Sequence, residues 1–144
     1  MFCAQAPYVP LGTLRSALAY PAPAEILADE NARDVLTAVS LGYLVDHLDT
    51  ETDWARVLSP GEQQRLAFGR LLLARPAVAF LDETTSAMDE GMEASMYALV
   101  RDRLPECTIV SVGHRSSLAT IHTDELELTG GGRWEVRRLA AEAP

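Results

Sequence analysis

The feature that most constrains this chain is an apolar run of strand length, Val78-Ala79-Phe80-Leu81, that ends in Asp82-Glu83 and is followed by a second such run, Thr108-Ile109-Val110-Ser111-Val112. Short continuous apolar runs suit strands covered on both faces. Between them Asp89 can cap a helix reaching about Leu104, with Met92, Met96, Leu99 and Val100 as its inner stripe. Strand, helix, strand predicts a right-handed crossover and a parallel sheet, hence an α/β fold with helices on the sheet.

The segments before this unit read as mostly helical. Gln5 to Gly12 holds two prolines and a glycine and is a loop, and Thr13 to Ala19 is a capped helix stopped by Tyr20-Pro21. Asn31 can cap a helix over 32–39, and 41–53, with acids among Leu44, Val45 and Leu48, reads as a short helix and a loop. Ser59-Pro60-Gly61-Glu62 is a capping box, with proline at the first helical position, and it opens a strong helix to Ala74. After Val112 a short helix from Ser116 leads to alternating segments 125–129 and 134–139 around Gly130-Gly131-Gly132, a hairpin.

Composition removes several function classes. With 12 basic and 21 acidic residues the net charge is −9, a field that repels phosphate backbones, so nucleic acid is not an expected partner. No apolar run reaches the roughly 20 residues that span a bilayer, and the first residues lack the pattern of a secretory leader. Cys3 and Cys107 each fall in a short apolar stretch read as strand, and are expected to be reduced core thiols.

In an open parallel sheet, ligands bind at the carboxyl ends of the strands, which here carry Asp82-Glu83 and His114. Adjacent carboxylates after a buried strand suit hydrolysis of a magnesium nucleotide: one holds the hydrated ion and the other polarises or deprotonates water. The helix N-terminus at Ser59, with free N–H groups and a hydroxyl, is a place for an anion to dock.

Two stretches carry a family resemblance. Leu58-Ser-Pro-Gly-Glu-Gln-Gln-Arg65 resembles the signature motif of ATP-binding-cassette (ABC) ATPases, and Val78-Ala-Phe-Leu-Asp-Glu-Thr-Thr-Ser-Ala-Met-Asp89 resembles their Walker B strand and D-loop. Gln5 looks like the Q-loop glutamine and His114 like the switch histidine. The wording around Pro10-Leu-Gly-Thr-Leu-Arg15 is similar to half-transporters of the peroxisomal fatty-acyl and bacterial peptide or vitamin B12 carrier type. The resemblance implies a P-loop NTPase-like sheet, here without its N-terminal P-loop strand. A small helical signature subdomain would occupy about 13–74, and the Walker B, D-loop and switch part 76–139, of a partial nucleotide-binding domain over 1–144.

That resemblance also implies roles. Asp82 would hold Mg²⁺ through water, Glu83 would be the general base, and His114 would contact the γ-phosphate. Gln5 would join Mg²⁺ and the membrane-domain interface. Ser59, Gly61 and Gln63 would face ATP held by a second cassette, with Asp89 in the D-loop. The implied partners are that second cassette and a transmembrane domain, at the cytoplasmic face of the membrane.

The chain has no lysine and no Gly-x-x-x-x-Gly-Lys-Ser/Thr. It is therefore expected to begin after the part that grips nucleotide, as a truncated product, split gene or fragment, to be incompetent alone, and to leave the Walker B strand with an unpaired edge. Pro60 replaces a usual small residue and removes one N–H from the helix start; Ala4 and Ala6 flank Gln5, and Met88 stands for Leu. Two other readings are a noncatalytic module that supplies its signature helix in trans and an ABC-type ATPase outside transport. The acidic charge and the lack of heptad arms argue against the latter.

Overall fold

A computed structural model describes residues 1–139, and the last five residues of the expected 1–144 domain lie outside the described residues. The chain forms two compact units, divided between Val112 and Gly113.

In the first unit, β1 (Phe2–Cys3), β4 (Val78–Asp82) and β5 (Thr108–Val112) form a parallel sheet in the order β1-β4-β5. Phe80 is in register with Phe2 on one side and Val110 on the other. The expectation of an unpaired edge on the 78–82 strand is corrected by this order: β4 is central, and among the described residues β1 and β5 are the two edge strands. The short β1 is extended by the Met1 amino group, which donates to the Val78 carbonyl at 2.7 Å, and by Phe80 N–H, which donates to Met1 O at 2.9 Å.

Burial alternates along the strands, which corrects the expectation of cover on both faces. Ala79 and Leu81 are buried, whereas Phe80 is 48%, Val110 39% and Phe2 64% exposed. Registered strands put these three on one face, because side chains alternate with a period of two. The other face meets α4 (Pro60–Ala74) and α5 (Glu90–Arg103), where Phe68 and Tyr97 cross edge-to-face at 6.1 Å.

The helices pack around α4. Helices α1 (Leu14–Ala19) and α2 (Asp29–Ala38) lie against it at Gly69, where an added Cβ would meet Leu18 at 3.0 Å and Val35 at 3.1 Å. Helix α2 starts three residues before the expected 32–39 segment, with Ala28 at its N-cap, so Asn31 is inside the helix; acidic Asp29 and Glu30 occupy the first turn, where the helix dipole favours negative charge. Leu14, Leu18, Leu36, Leu66 and Leu71 are fully buried between these helices.

Between α2 and α4 lie a 3-10 helix (Gly42–His47), β3 (Glu51–Thr52) and α3 (Trp54–Val57). Strand β3 pairs antiparallel with β2 (Gly12–Thr13), a contact that no alternation signalled. Arg15 holds this region together from α1. It donates to both oxygens of Asp49 (2.8 and 3.1 Å), to Asp29 (2.5 Å) and to the Leu27 carbonyl (3.1 Å).

Helix α5 begins at the Asp89 cap as expected, but its buried face is Glu93, Met96, Tyr97 and Val100. Met92 and Leu99 are only partly covered. Glu93 is inside because Thr85 donates to its carboxylate at 2.5 Å, a partner that makes a buried acid tolerable. Cys3 is buried in β1, whereas Cys107 precedes β5 and is half-buried, a correction to its reading as a core strand thiol.

The second unit holds α6 (Leu118–Ile121) and a hairpin of β6 (Asp124–Gly130) and β7 (Arg133–Arg138). Gly130, Gly131 and Gly132 all have positive φ, 85°, 59° and 75°, which glycine adopts without a side-chain clash, and this turns the chain. Arg137 pairs with Glu125 across the hairpin.

Candidate functional site

The site is built at the C-terminal end of β4. Asp82 is the last strand residue, and Glu83 turns the chain with φ of +47°, the left-handed region that non-glycine residues seldom occupy. Such strain persists where surrounding bonds fix the backbone. Glu83 N–H donates to Val112 O at 2.9 Å, Thr84 donates to Cys3 O at 2.9 Å, and Thr85 is tied to buried Glu93. The loop from Glu83 to Met88 is thus fastened to β1, β5 and α5.

Gln5 brings the next group in. Its side-chain amide donates to the Glu83 carboxylate at 3.0 Å and lies 3.5 Å from the Ser86 hydroxyl. A donor on one carboxylate oxygen orients that group. Asp82 and Glu83 are both partly exposed at this end of the sheet.

Helix α4 enters beside them. Ser59 is its N-cap and Glu62 its third residue, and the reciprocal capping box is formed. The Ser59 hydroxyl donates to Glu62 at 2.6 Å, Ser59 N–H donates to the same oxygen at 2.7 Å, and the Tyr43 hydroxyl donates to the other oxygen. Burial pushes the Glu62 carboxyl up, but the donors from Ser59 and Tyr43 and the charge of Arg65 outweigh it and hold the group below its ordinary value.

Gly61 approaches the β4 loop so closely that an added Cβ would sit 2.9 Å from the Ala87 carbonyl. Glycine is required there to let the helix and the loop touch.

The other expected residues occupy distinct places. Gln63 gives its amide protons to the carbonyls of Ala55 (2.8 Å) and Leu58 (3.0 Å), bracing the approach to the helix. Asp89 is exposed and accepts from Met92 N–H at 2.8 Å as the cap of α5. His114 is exposed and lies just after β5, in the second unit.

One residue escaped the sequence reading. Gln64 is 2% exposed, and its carboxamide lies between the Gln5 backbone, Ser86 and Ala87. The signal for it was a polar residue in step with Phe68, Leu71 and Leu72, on the buried stripe of α4.

Among the described residues no three His, Cys, Asp or Glu side chains converge as a metal cluster. The Asp82 carboxylate and the Gln5 amide oxygen are the hard oxygen donors that suit Mg²⁺, which takes one or two carboxylates and keeps water and phosphate for the rest.

Comparison with known proteins decides what this arrangement belongs to. Residues 9–86, more than half of the chain, match the family described as ABC transporter. The chain belongs to the ABC transporter family. It is 55% identical over 136 residues to an uncharacterized ABC transporter ATP-binding protein of Haemophilus influenzae, covering 94% of this chain and 23% of that protein. It is 40% identical over 153 aligned residues to the human lysosomal cobalamin transporter ABCD4, covering 99% of this chain and 25% of that protein. The ABC chain thus spans about a quarter of the length of these relatives.

The solved structure of a bacterial Atm1-family ABC exporter with ATP bound superposes with a TM-score of 0.75 at 23% identity, over 87% of this chain and 22% of that one. This similarity supports the fold, a partial ABC ATPase domain. No helix among the described residues of the ABC chain is long and apolar enough to cross a membrane.

Proposed function

We propose that this chain is the signature, Walker B and switch portion of a cassette that couples Mg-ATP hydrolysis to transport. It would work with a phosphate loop supplied from outside these 144 residues, with a second cassette, and with a transmembrane domain at the cytoplasmic face of the membrane. The observation that carries the reading is the Gln5 amide seated on Glu83 at the end of β4, beside the capped N-terminus of α4.

In this reading Asp82 and the Gln5 amide oxygen would hold Mg²⁺, which would supply charge compensation for the transferred phosphate. Glu83 accepts the proton of the attacking water, its carboxylate turned by the Gln5 donor. His114, in the second unit, is assigned to the γ-phosphate on the family resemblance alone. Ser59 and the N-terminal turn of α4 face the phosphate of the opposite cassette, where the positive end of the helix favours an anion. Pro60 leaves Gly61 and Glu62 as the first N–H groups of the helix. Asp89 carries the loop to the same interface.

The test is co-purification of this chain with a cassette segment that carries a phosphate loop. Phosphate release is expected only when both are present, and Glu83→Gln is expected to lower it by roughly 10² to 10⁴ while ATP stays bound. Hydrolysis insensitive to Glu83→Gln would sink the assignment. Tight Mg-ATP binding by the chain alone, read as stabilisation rising with nucleotide, would overturn the need for an outside loop.

The capped N-terminus of α4 also suits one second reading, a noncatalytic module that supplies Ser59 and Gly61 in trans. Mixing with an intact cassette distinguishes it, because stimulation of that cassette would then depend on Ser59 and be indifferent to Glu83.

A further inference from the structure

We infer that Gln64 is a positioning residue that locks the phosphate-facing end of α4 to the Gln5–Glu83 pair of the same chain. The inference rests on the function proposed above for α4 and Glu83. Its basis is the bonding of a single buried carboxamide.

Gln64 Nε2 donates to the Gln5 carbonyl at 3.0 Å and to the Ser86 hydroxyl at 3.1 Å, with the Glu83 carbonyl a longer third acceptor at 3.4 Å. Its Oε1 accepts from Ala87 N–H at 3.0 Å. A backbone N–H only donates, so the Ala87 bond fixes which end of the carboxamide is oxygen and which is nitrogen. Both amide protons and the oxygen are therefore committed, in a residue with 2% of its surface exposed.

These partners lie 59, 22 and 23 residues away in sequence, on the segment that presents Gln5 and on the loop after β4. One helical turn earlier on the same face, Gly61 touches the Ala87 carbonyl. Two consecutive contacts of α4 thus grip Ser86 and Ala87, and one of them also grips the backbone of Gln5. A displacement of the α4 N-terminus, where phosphate would dock, moves the Gln5 amide and the loop behind Glu83 with it, because buried hydrogen bonds are costly to leave unmade. Such a connection lets occupancy at the signature helix of one site set the geometry of the base in the other.

The test uses two variants. Gln64→Met keeps the length and removes every hydrogen bond; Gln64→Glu keeps an acceptor for Ala87 N–H and loses the donors. Leu66→Ala, in a fully buried position of the same helix, controls for general destabilisation. Amide exchange of the full chain is expected to rise at residues 83–88 in Gln64→Met beyond the rise in Leu66→Ala, with Ala87 still protected in Gln64→Glu. Equal exchange at 83–88 in Gln64→Met and Leu66→Ala would overturn the inference.

In the assembly containing a phosphate loop, Gln64→Met is expected to lower kcat roughly tenfold or more with KM for ATP held within about twofold, as misplacement of a catalytic group does. A kcat within about twofold of the parent would overturn the kinetic role. If the parent assembly hydrolyses no ATP, it is the proposed function that fails, while the exchange result still decides whether Gln64 locks the two segments.

Discussion

Gln5 and Glu83 are 78 residues apart in sequence and joined by a 3.0 Å hydrogen bond from the amide of one to the carboxylate of the other. Parallel pairing of β1 with β4 makes this possible, since the residues after both strands emerge at the same end of the sheet. Replacing Gln5 by Leu is expected to leave the fold intact and to lower hydrolysis by the complemented assembly, with the loss concentrated in kcat. A steady-state comparison with Gln5→Asn checks this; equal rates for Leu and the parent would show the bond to be idle.

Gly61→Ala tests the close approach of α4 to the β4 loop. The added methyl meets a backbone carbonyl at 2.9 Å, so the helix or the loop must shift. A cost of about 1–3 kcal/mol is expected in chemical denaturation, the range of overpacked sites. Gly69→Ala is expected to cost less, because its neighbours are the side-chain ends of Leu18 and Val35.

Ser59 carries both a cap and, in the proposed reading, a phosphate contact. Ser59→Ala is expected to lower stability by about 1 kcal/mol through loss of the cap. Ser59→Asn keeps a capping oxygen and is expected to hold the parent's melting temperature while still losing ATP-dependent association with an intact cassette. Association unchanged in both variants would remove Ser59 from the interface.

Acid is expected to weaken the helical region through its ion pairs. Asp29 is held below the ordinary carboxylate range by hydrogen bonds from Arg15 and Arg33, Asp49 by Arg15, and Asp34 by Arg103. Each folded pKa is depressed, so the stabilisation is full above the unfolded value of about 3.9 and is lost as pH falls through the lower folded values. Thermal midpoints are therefore expected to drop below about pH 4, and Arg15→Leu is expected to flatten that dependence. An unchanged slope in Arg15→Leu would mean that the Arg15 pairs contribute nothing.

The bare face of the three-stranded sheet predicts a solution property. Phe2, Phe80 and Val110 are neighbours in register and 64%, 48% and 39% exposed. Exposed apolar patches and open strand edges promote association. Sedimentation of the isolated chain is expected to show concentration-dependent self-association that Phe80→Lys reduces; a strictly monomeric parent would contradict it.

Local signals carried much of the architecture. The Ser59 capping box, the Thr13 and Asp89 caps, the strands at 78 and 108 and the triple-glycine hairpin all stand where the residues predict. Each depends on interactions within a few residues, so the sequence itself states them. The same holds for the carboxylates at the end of β4 and for the motif wording that led to the family.

Tertiary structure decided the rest. Asn31 is an adequate cap in isolation, yet α2 begins earlier, where Asp29 meets Arg15 and Arg33. Periodicity favoured Met92 and Leu99 as the buried stripe of α5, but Thr85 takes Glu93 inward and turns the helix toward Tyr97. The 78–82 strand is central because β1, a stub of two residues, pairs with it from the far N-terminal end of the chain, and strand order, unlike strand identity, is not written in local residues. Gln64 could be seen in the sequence only as a polar residue on an apolar stripe. Its role depends on Gln5, Ser86 and Ala87 arriving around it, and a buried amide acquires its partners from the packing of distant segments, not from its neighbours along the chain.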